Sequence, residues 1–301
     1  MRFGVFTSMG MQTWAGVLEL WRHLEASGWD LACVTDHFMP NTKEREGAML
    51  ESWSTLSALA ALVPRMRVGT IVLGNTYRHP AVVAKMAAQV DIISGGRLLL
   101  GLGAGWQENE HEQYGIELGS PGTRIERFDE YCQVVTGLLR DKETTVVGDH
   151  YAVRGAISEP KPVQEQLPLL IGGKGDRMLG LVARHADEWN MWSLPEAQVE
   201  RASELARRRE AIGRDPGEIR HSTQALVMLT DDAALAERFV QNVGGRAAVG
   251  GTVEQLAEVV VGWRDAGVDE VIIPDFVLGR GAQRADAYDA IIERLAPELG
   301  P

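Results

Sequence analysis

Short apolar runs recur along the chain, each followed by a longer stretch with apolar residues at helical spacing. Arg2 to Thr7 reads as a first strand and Leu31-Ala32-Cys33-Val34-Thr35 as a second. Arg67 to Leu73 and Arg97-Leu98-Leu99-Leu100 give a third and a fourth. These runs are too short for helices and lack alternation, which suits strands buried on both faces. Between them, Val17, Leu18, Trp21 and Leu24 mark a helix that Thr13 caps and Gly28 stops. A second helix is expected from Ser52 to Val63. A third opens at Pro80, runs to about Ser94 and is closed by Gly95-Gly96. Strands recur at about 30 residues, the size of a βαβ unit, so they should lie parallel with helical crossovers.

Arg124 to Arg140 reads as a fourth helix. The pattern then changes. Thr144 to Val153 looks like a hairpin around Gly148-Asp149, and Pro160 and Pro162 mark an extended connection. The region 141–166 is therefore expected to be an insertion. Leu167–Ile171, Glu188–Trp192, Ser222–Leu229 and Asp269–Phe276 supply strands five to eight, again separated by helical patterns. Eight strands alternating with helices predict an α/β fold, a (β/α)8 TIM barrel over residues 1–301 with a small hairpin insertion. A doubly wound open sheet is the alternative.

Composition narrows the partners. Among 301 residues, 30 Lys plus Arg against 42 Asp plus Glu give a formal charge of −12. That argues against bulk nucleic-acid binding and against an anionic membrane surface, and leaves a small-molecule substrate as the expected partner. The two cysteines, Cys33 and Cys132, fall in apolar runs and read as buried free thiols. The N-terminus is already strand-like and no apolar segment reaches membrane-spanning length, so the cytoplasm is the expected location. A homodimer is left open.

Reactive residues in such a barrel lie at the C-terminal strand ends. The fourth strand opens onto glycines 101, 103 and 105, then a polar loop with Trp106, Glu108, Glu110 and His111. Glycine there permits close approach of a flat ligand. Asp36-His37 follows the second strand: a histidine in that place can move a proton at neutral pH, and Asp36 can orient its ring. Gly172-Gly173-Lys174-Gly175 precedes a helix and offers backbone N–H groups and a charge to an anion. Leu73-Gly74-Asn75 forms the third exit, and Arg78 and His79 are read there only as support for the helix start. No spacing supports a metal site.

Taken together, Val34-Thr35-Asp36-His37-Phe38, Tyr77-Arg78-His79-Pro80, Gly95 to Trp106, Leu170-Ile171-Gly172-Gly173 and Ala186 to Asn190 resemble the luciferase-like monooxygenase superfamily. The branch most similar is that of oxidoreductases dependent on the deazaflavin coenzyme F420, and a second branch uses FMN. The resemblance implies a cofactor across the barrel mouth. Its phosphate would meet Gly172, Gly173, Lys174 and Gly175, and its ring would rest near Asp36, Val72, Leu73, Asn75 and Ala104. His37 would be the catalytic acid/base, and Phe6 and Trp106 would line the substrate pocket. A non-proline cis peptide is expected around Ile71 to Leu73. Sugar-phosphate dehydrogenases of the family carry Pro-Trp after the histidine motif and a catalytic acid after the fourth-strand glycines. Here Asn41 follows Pro40 and Trp106 follows Gly105, which favours a less polar substrate; Glu108 and Glu110 are the remaining carboxylates nearby. Loops 38–51, 106–123 and 276–284 would select that substrate. The expected function is hydride transfer between F420 and a small organic molecule. The alternatives are an FMN-dependent monooxygenase with a flavin reductase partner, and a deazaflavin-binding protein without turnover.

Overall fold

The computed structural model describes residues 1–41 and 47–297. The central part of loop 38–51, expected to bear on substrate choice, lies outside the described residues. Eight parallel strands close into a barrel among the described residues: β1 Arg2–Thr7, β2 Leu31–Val34, β3 Arg67–Thr70, β4 Leu98–Gly103, β5 Leu169–Gly172, β6 Glu188–Trp192, β7 Arg220–Gln224 and β8 Glu270–Pro274. Each pairs in parallel with its sequence neighbours. β1 joins β8 through Phe3↔Val271 and Val5↔Ile273, and β3 joins β4 through Val68↔Leu98 and Gly69↔Leu99, so no open edge remains. The fold is a (β/α)8 TIM barrel, and the open-sheet alternative is excluded.

The period of two along each strand sorts the residues. Leu31 and Cys33 of β2, Leu99 of β4, Leu170 of β5 and Ile272 of β8 pack with one another inside the barrel. Their alternates, such as Ala32, Val34, Leu98 and Leu100, pack outward against the helices. Those helices are amphipathic where exposed. In α1 (Trp14–Ala26), Thr13 caps Gly16 N–H, and Val17, Leu20, Trp21 and Leu24 form the buried face. After α2 (Ser52–Leu62), α3 (Pro80–Ser94) follows, in which His79 caps Ala81 N–H and Gly95 ends the helix at φ 68°.

The same parity places Arg67, Glu188 and Glu270 inside at the N-terminal end. Arg67 bridges Glu188 at 3.1 Å and Glu270 at 3.2 Å, a charged plug that spans three strands. Close approach also decides Gly101. A Cβ there would stand 2.0 Å from the Thr70 carbonyl oxygen. Thr70 Oγ1 instead receives the Gly101 N–H and donates to its carbonyl, which ties β3 to β4.

Three sequence expectations change. The Ser222–Leu229 strand is two segments: β7 ends at Gln224, and Leu226–Leu229 leaves the barrel to pair in parallel with Ala248–Gly251. No glycine or proline separates Ser222-Thr223-Gln224 from the apolar Ala225–Leu229, so no turn residue marks the break; Leu226 turns away to pack on Phe239 and Ala248. The polar loop after β4 contains a helix, α4 (Glu108–Tyr114). The helix expected from Arg124 starts at Pro121, where Ser120 caps Thr123 N–H, and forms α5 (Pro121–Arg140). The hairpin is present, Thr144–Val147 against Ala152–Ala156. At the exit of β3 the Ile71–Val72 peptide is cis, and Leu73-Gly74 rejoins β4 through Leu102 and Gly103. Among the described residues no helix is long and apolar enough to cross a membrane.

Candidate functional site

The C-terminal ends of the strands open into a cavity of 760 Å3. Phe6, Asp36, His37, Val72, Trp106, Gly172, Gly173 and Lys174 all line it. Leu73, Asn75, Ala104 and Gly175 are not among its lining residues. Leu73 is fully buried in the core and Ala104 packs partly buried against it, while Gly175 caps the helix α6 (Asp176–His185). Asn75 is buried with neither amide atom partnered among the described residues.

His37 sits three residues beyond β2. Its Nδ1 lies 2.8 Å from Glu110 Oε1 of α4, and Phe38 N–H donates to Glu110 Oε2 at 2.7 Å. The Tyr77 hydroxyl donates to Oε1 as well. The Glu110 side chain is completely buried. Burial alone would raise its carboxyl, but the bonds from His37, Tyr77 and Phe38 outweigh that and hold it below the ordinary 4.5. Burial, and then the same contact, push the Tyr77 phenol upward, so it stays a donor. A carboxylate acceptor fixes the proton on Nδ1 of His37 and leaves Nε2 as the basic nitrogen. No described residue bonds Nε2. The indole of Trp106 meets the imidazole edge to face, with centroids 5.5 Å apart.

Asp36 does not orient His37. Its carboxylate takes both guanidinium nitrogens of Arg78, Nη1 at 2.8 Å, and the Gly74 N–H at 3.0 Å. Burial pushes the Asp36 carboxyl up, and these donors oppose the shift. The pair straps the β2 exit to the β3 exit, so Arg78 does more than start a helix. Orientation of the imidazole falls to Glu110, 73 residues away in sequence. The sequence noted Glu110 without showing which way it faces. The signal available was its i+3 spacing from Gln107 and adjacency to His111, both buried on the inner face of α4. His111 itself is fixed by Thr76 at 2.6 Å and the Gln107 carbonyl at 2.7 Å, which gives it a structural part.

On the far wall, Asp275 accepts from Ser8 N–H at 3.0 Å and from Arg284 Nη1 at 2.8 Å. Burial lifts its carboxyl to about 6 against those bonds. At the β5 exit, Gly173 has φ 141°, and α6 begins after Gly175 with no side chain capping its free N–H groups. Exposed Lys174 stands beside them. This combination suits an anion such as a phosphate. Among the described residues no group of three or more His, Cys, Asp or Glu is placed to hold a metal.

Comparison with known proteins agrees with the fold. Pyrimidine monooxygenase RutA of Escherichia coli is 32% identical over 199 residues, which cover 62% of this chain and 50% of its own. An uncharacterised protein of Mycobacterium tuberculosis is 28% identical over 253 residues, 83% of this chain and 76% of that one. An F420-dependent secondary alcohol dehydrogenase, solved with an F420-acetone adduct, superposes with a TM-score of 0.83 over 98% of both chains at 20% identity, a likeness of fold. The sequence profile of luciferase-like monooxygenases matches residues 1–243, so the chain belongs to the luciferase-like monooxygenase family, whose members are oxidoreductases.

Proposed function

We propose that this protein transfers a hydride between coenzyme F420 and a small organic substrate, with His37 as the acid/base. The observation that carries the reading is the His37–Glu110 pair at the cavity wall. Interconverting an alcohol and a carbonyl moves a proton on oxygen together with a hydride on carbon, so the site needs a group poised to take and return that proton. Glu110 keeps the Nδ1 proton in place, and Nε2 of His37 then exchanges the proton of the substrate oxygen. The buried bonds to Phe38 and Tyr77 lock the carboxylate, so the imidazole is oriented before substrate arrives.

The residues present fit a phosphate-bearing deazaflavin. The uncapped start of α6 and Lys174 match the phosphate. Gly172 and Gly173 keep the β5 wall free of side chains, and the buried amide of Asn75 has a donor and an acceptor without partners beside the β3 exit. F420 when bound supplies the hydride-transfer chemistry. His37→Ala tests the assignment. F420 affinity should persist, while reduction of F420 by small secondary alcohols should fall by about 100- to 10,000-fold. Full turnover in this variant would refute the catalytic assignment.

A second reading is supported by the likeness to a pyrimidine monooxygenase. In that case the chain uses reduced FMN and oxygen, with a separate flavin reductase as partner. Oxygen uptake with reduced FMN, and none of the F420 reduction above, would favour it.

A further inference from the structure

The stretch Ala186 to Asn190 carries part of the family resemblance, and the chemistry above gives none of it a task. Within it, Trp189 of β6 is fully buried, and its indole Nε1–H donates to the Gly173 carbonyl at 2.7 Å. We infer that Trp189 is a positioning residue for the anion loop at the β5 exit: it holds one peptide so that the Lys174 backbone N–H faces the cavity and donates to the phosphate of a bound cofactor. This role rests on the phosphate-bearing cofactor proposed above and is the same for F420 and FMN.

The direction of that N–H follows from strand parity and peptide geometry. Glu188 points into the barrel, so Trp189 points outward and joins the apolar layer beneath the helices. From there its N–H reaches the rim and draws the Gly173 carbonyl outward. The Gly173–Lys174 peptide is trans. In a trans peptide the C=O and the N–H point opposite ways. With the carbonyl turned toward the helix layer, the Lys174 N–H is turned toward the barrel axis, where the cavity opens. No described residue accepts it.

Gly173 is held on its other side as well. Its N–H donates to the Asn190 carbonyl at 2.9 Å, so β6 takes both of its polar groups and neither is free for a ligand. The bend itself requires glycine, since φ is 141° and a Cβ would stand 2.7 Å from Met178 Cγ. Both peptides flanking Gly173 are thus pinned to β6, one through its N–H and one through its C=O. Donors for an anion begin at Lys174 and continue into the uncapped first turn of α6. A buried indole N–H needs an acceptor in any case; here the acceptor is the first carbonyl beyond β5, in the loop that lines the cavity. A donor whose direction is set before the ligand arrives spends no ordering entropy on binding.

The test uses the full chain and pairs of ligands that differ in the phosphate. FMN is compared with riboflavin, and F420 with its dephosphorylated ring-and-ribityl form, by calorimetry of the wild type and of Trp189→Phe. The phenyl ring keeps most of the packing and removes the N–H. Trp189→Phe should lower the preference for the phosphate-bearing partner by about tenfold, since a hydrogen bond to a charged oxygen is weakened, and leave the affinity of the phosphate-free partner unchanged. General damage to the fold would instead weaken both partners alike. The wild type supplies a second readout. The chain has five lysines, so nitrogen-15 lysine labelling gives five backbone signals, and Lys174→Arg identifies that of residue 174. Its amide proton should move downfield when the phosphate-bearing cofactor binds, and not with the phosphate-free partner. An unmoved Lys174 signal at saturating cofactor, or a phosphate preference that survives Trp189→Phe, would overturn the inference. Where Trp189→Phe folds poorly or the phosphate-free partners bind too weakly to measure, the Lys174 signal decides. Binding of FMN alone with a moved Lys174 signal overturns the F420 reading and sustains the inference. Binding of F420 with an unmoved signal does the reverse, and binding of neither cofactor overturns both.

Discussion

Glu110→Gln removes one charge and almost no volume, and it should disable His37 without touching it. Three donors meet the carboxylate: His37 Nδ1 and the Tyr77 hydroxyl on Oε1, and Phe38 N–H on Oε2. An amide cannot accept from all three. With its oxygen in the Oε1 place, the new NH2 faces the Phe38 N–H, a buried clash of donors. With its oxygen in the Oε2 place, Phe38 is satisfied, the Tyr77 hydroxyl can turn to accept, and the NH2 donates to Nδ1. That second arrangement wins by about 1–3 kcal/mol, the penalty of one buried unmatched donor. It requires a bare Nδ1 and a proton on Nε2, so the nitrogen facing the substrate can no longer take a proton. Turnover should drop by about 100- to 10,000-fold at pH 7 with F420 affinity kept. Nitrogen-15 NMR of labelled histidine reads the tautomer directly. Stability should also fall, by about 1.5–3 kcal/mol for the lost charged bond. Because the folded Glu110 carboxyl sits below its ordinary 4.5, that wild-type advantage is complete above that value and vanishes as the pH falls through the folded pKa. An unchanged tautomer with full turnover would refute this reasoning.

Other substitutions probe the frame around the pair. Arg78→Ala leaves the fully buried Asp36 carboxylate without its partner, and urea unfolding should show a loss of about 3–5 kcal/mol; Arg78→Lys should not restore it, since the two-pronged bond is lost. Asp275 is held at about 6 against an ordinary 3.8, so the folded state binds the extra proton and wild-type stability should decline as pH rises between these values. The difference between the wild type and Asp275→Asn should change by up to about 3 kcal/mol across that window, and a flat difference would contradict it. Gly101→Ala drives a methyl into the Thr70 carbonyl and should cost about 1–3 kcal/mol or more by urea unfolding.

The barrel was legible because strands buried on both faces are short apolar runs, and the glycines and prolines between them mark the turns. His37, Trp106 and the Gly172–Lys174 loop were legible as strand exits, Phe6 and Val72 only through the family resemblance, and all of them line the cavity. What escaped the sequence depends on partners far along the chain. Asp36 stood next to His37, yet its carboxylate goes to Arg78, 42 residues on. Glu110 looked like part of a solvated acidic loop, because a seven-residue helix carries too few positions to show a period. The strand after Gln224 was hidden because no glycine or proline separates it from β7, although its apolar run pairs outside the barrel.

The most direct test of the central claim is a paired titration of the purified apo-protein with F420 and with FMN, followed by intrinsic tryptophan fluorescence. Trp106 and Trp192 line the cavity and report ligands that enter it. The account predicts saturable quenching by F420 and weaker binding of FMN. Preference for FMN would contradict the F420 assignment, and binding of neither would contradict the cofactor site at the barrel mouth.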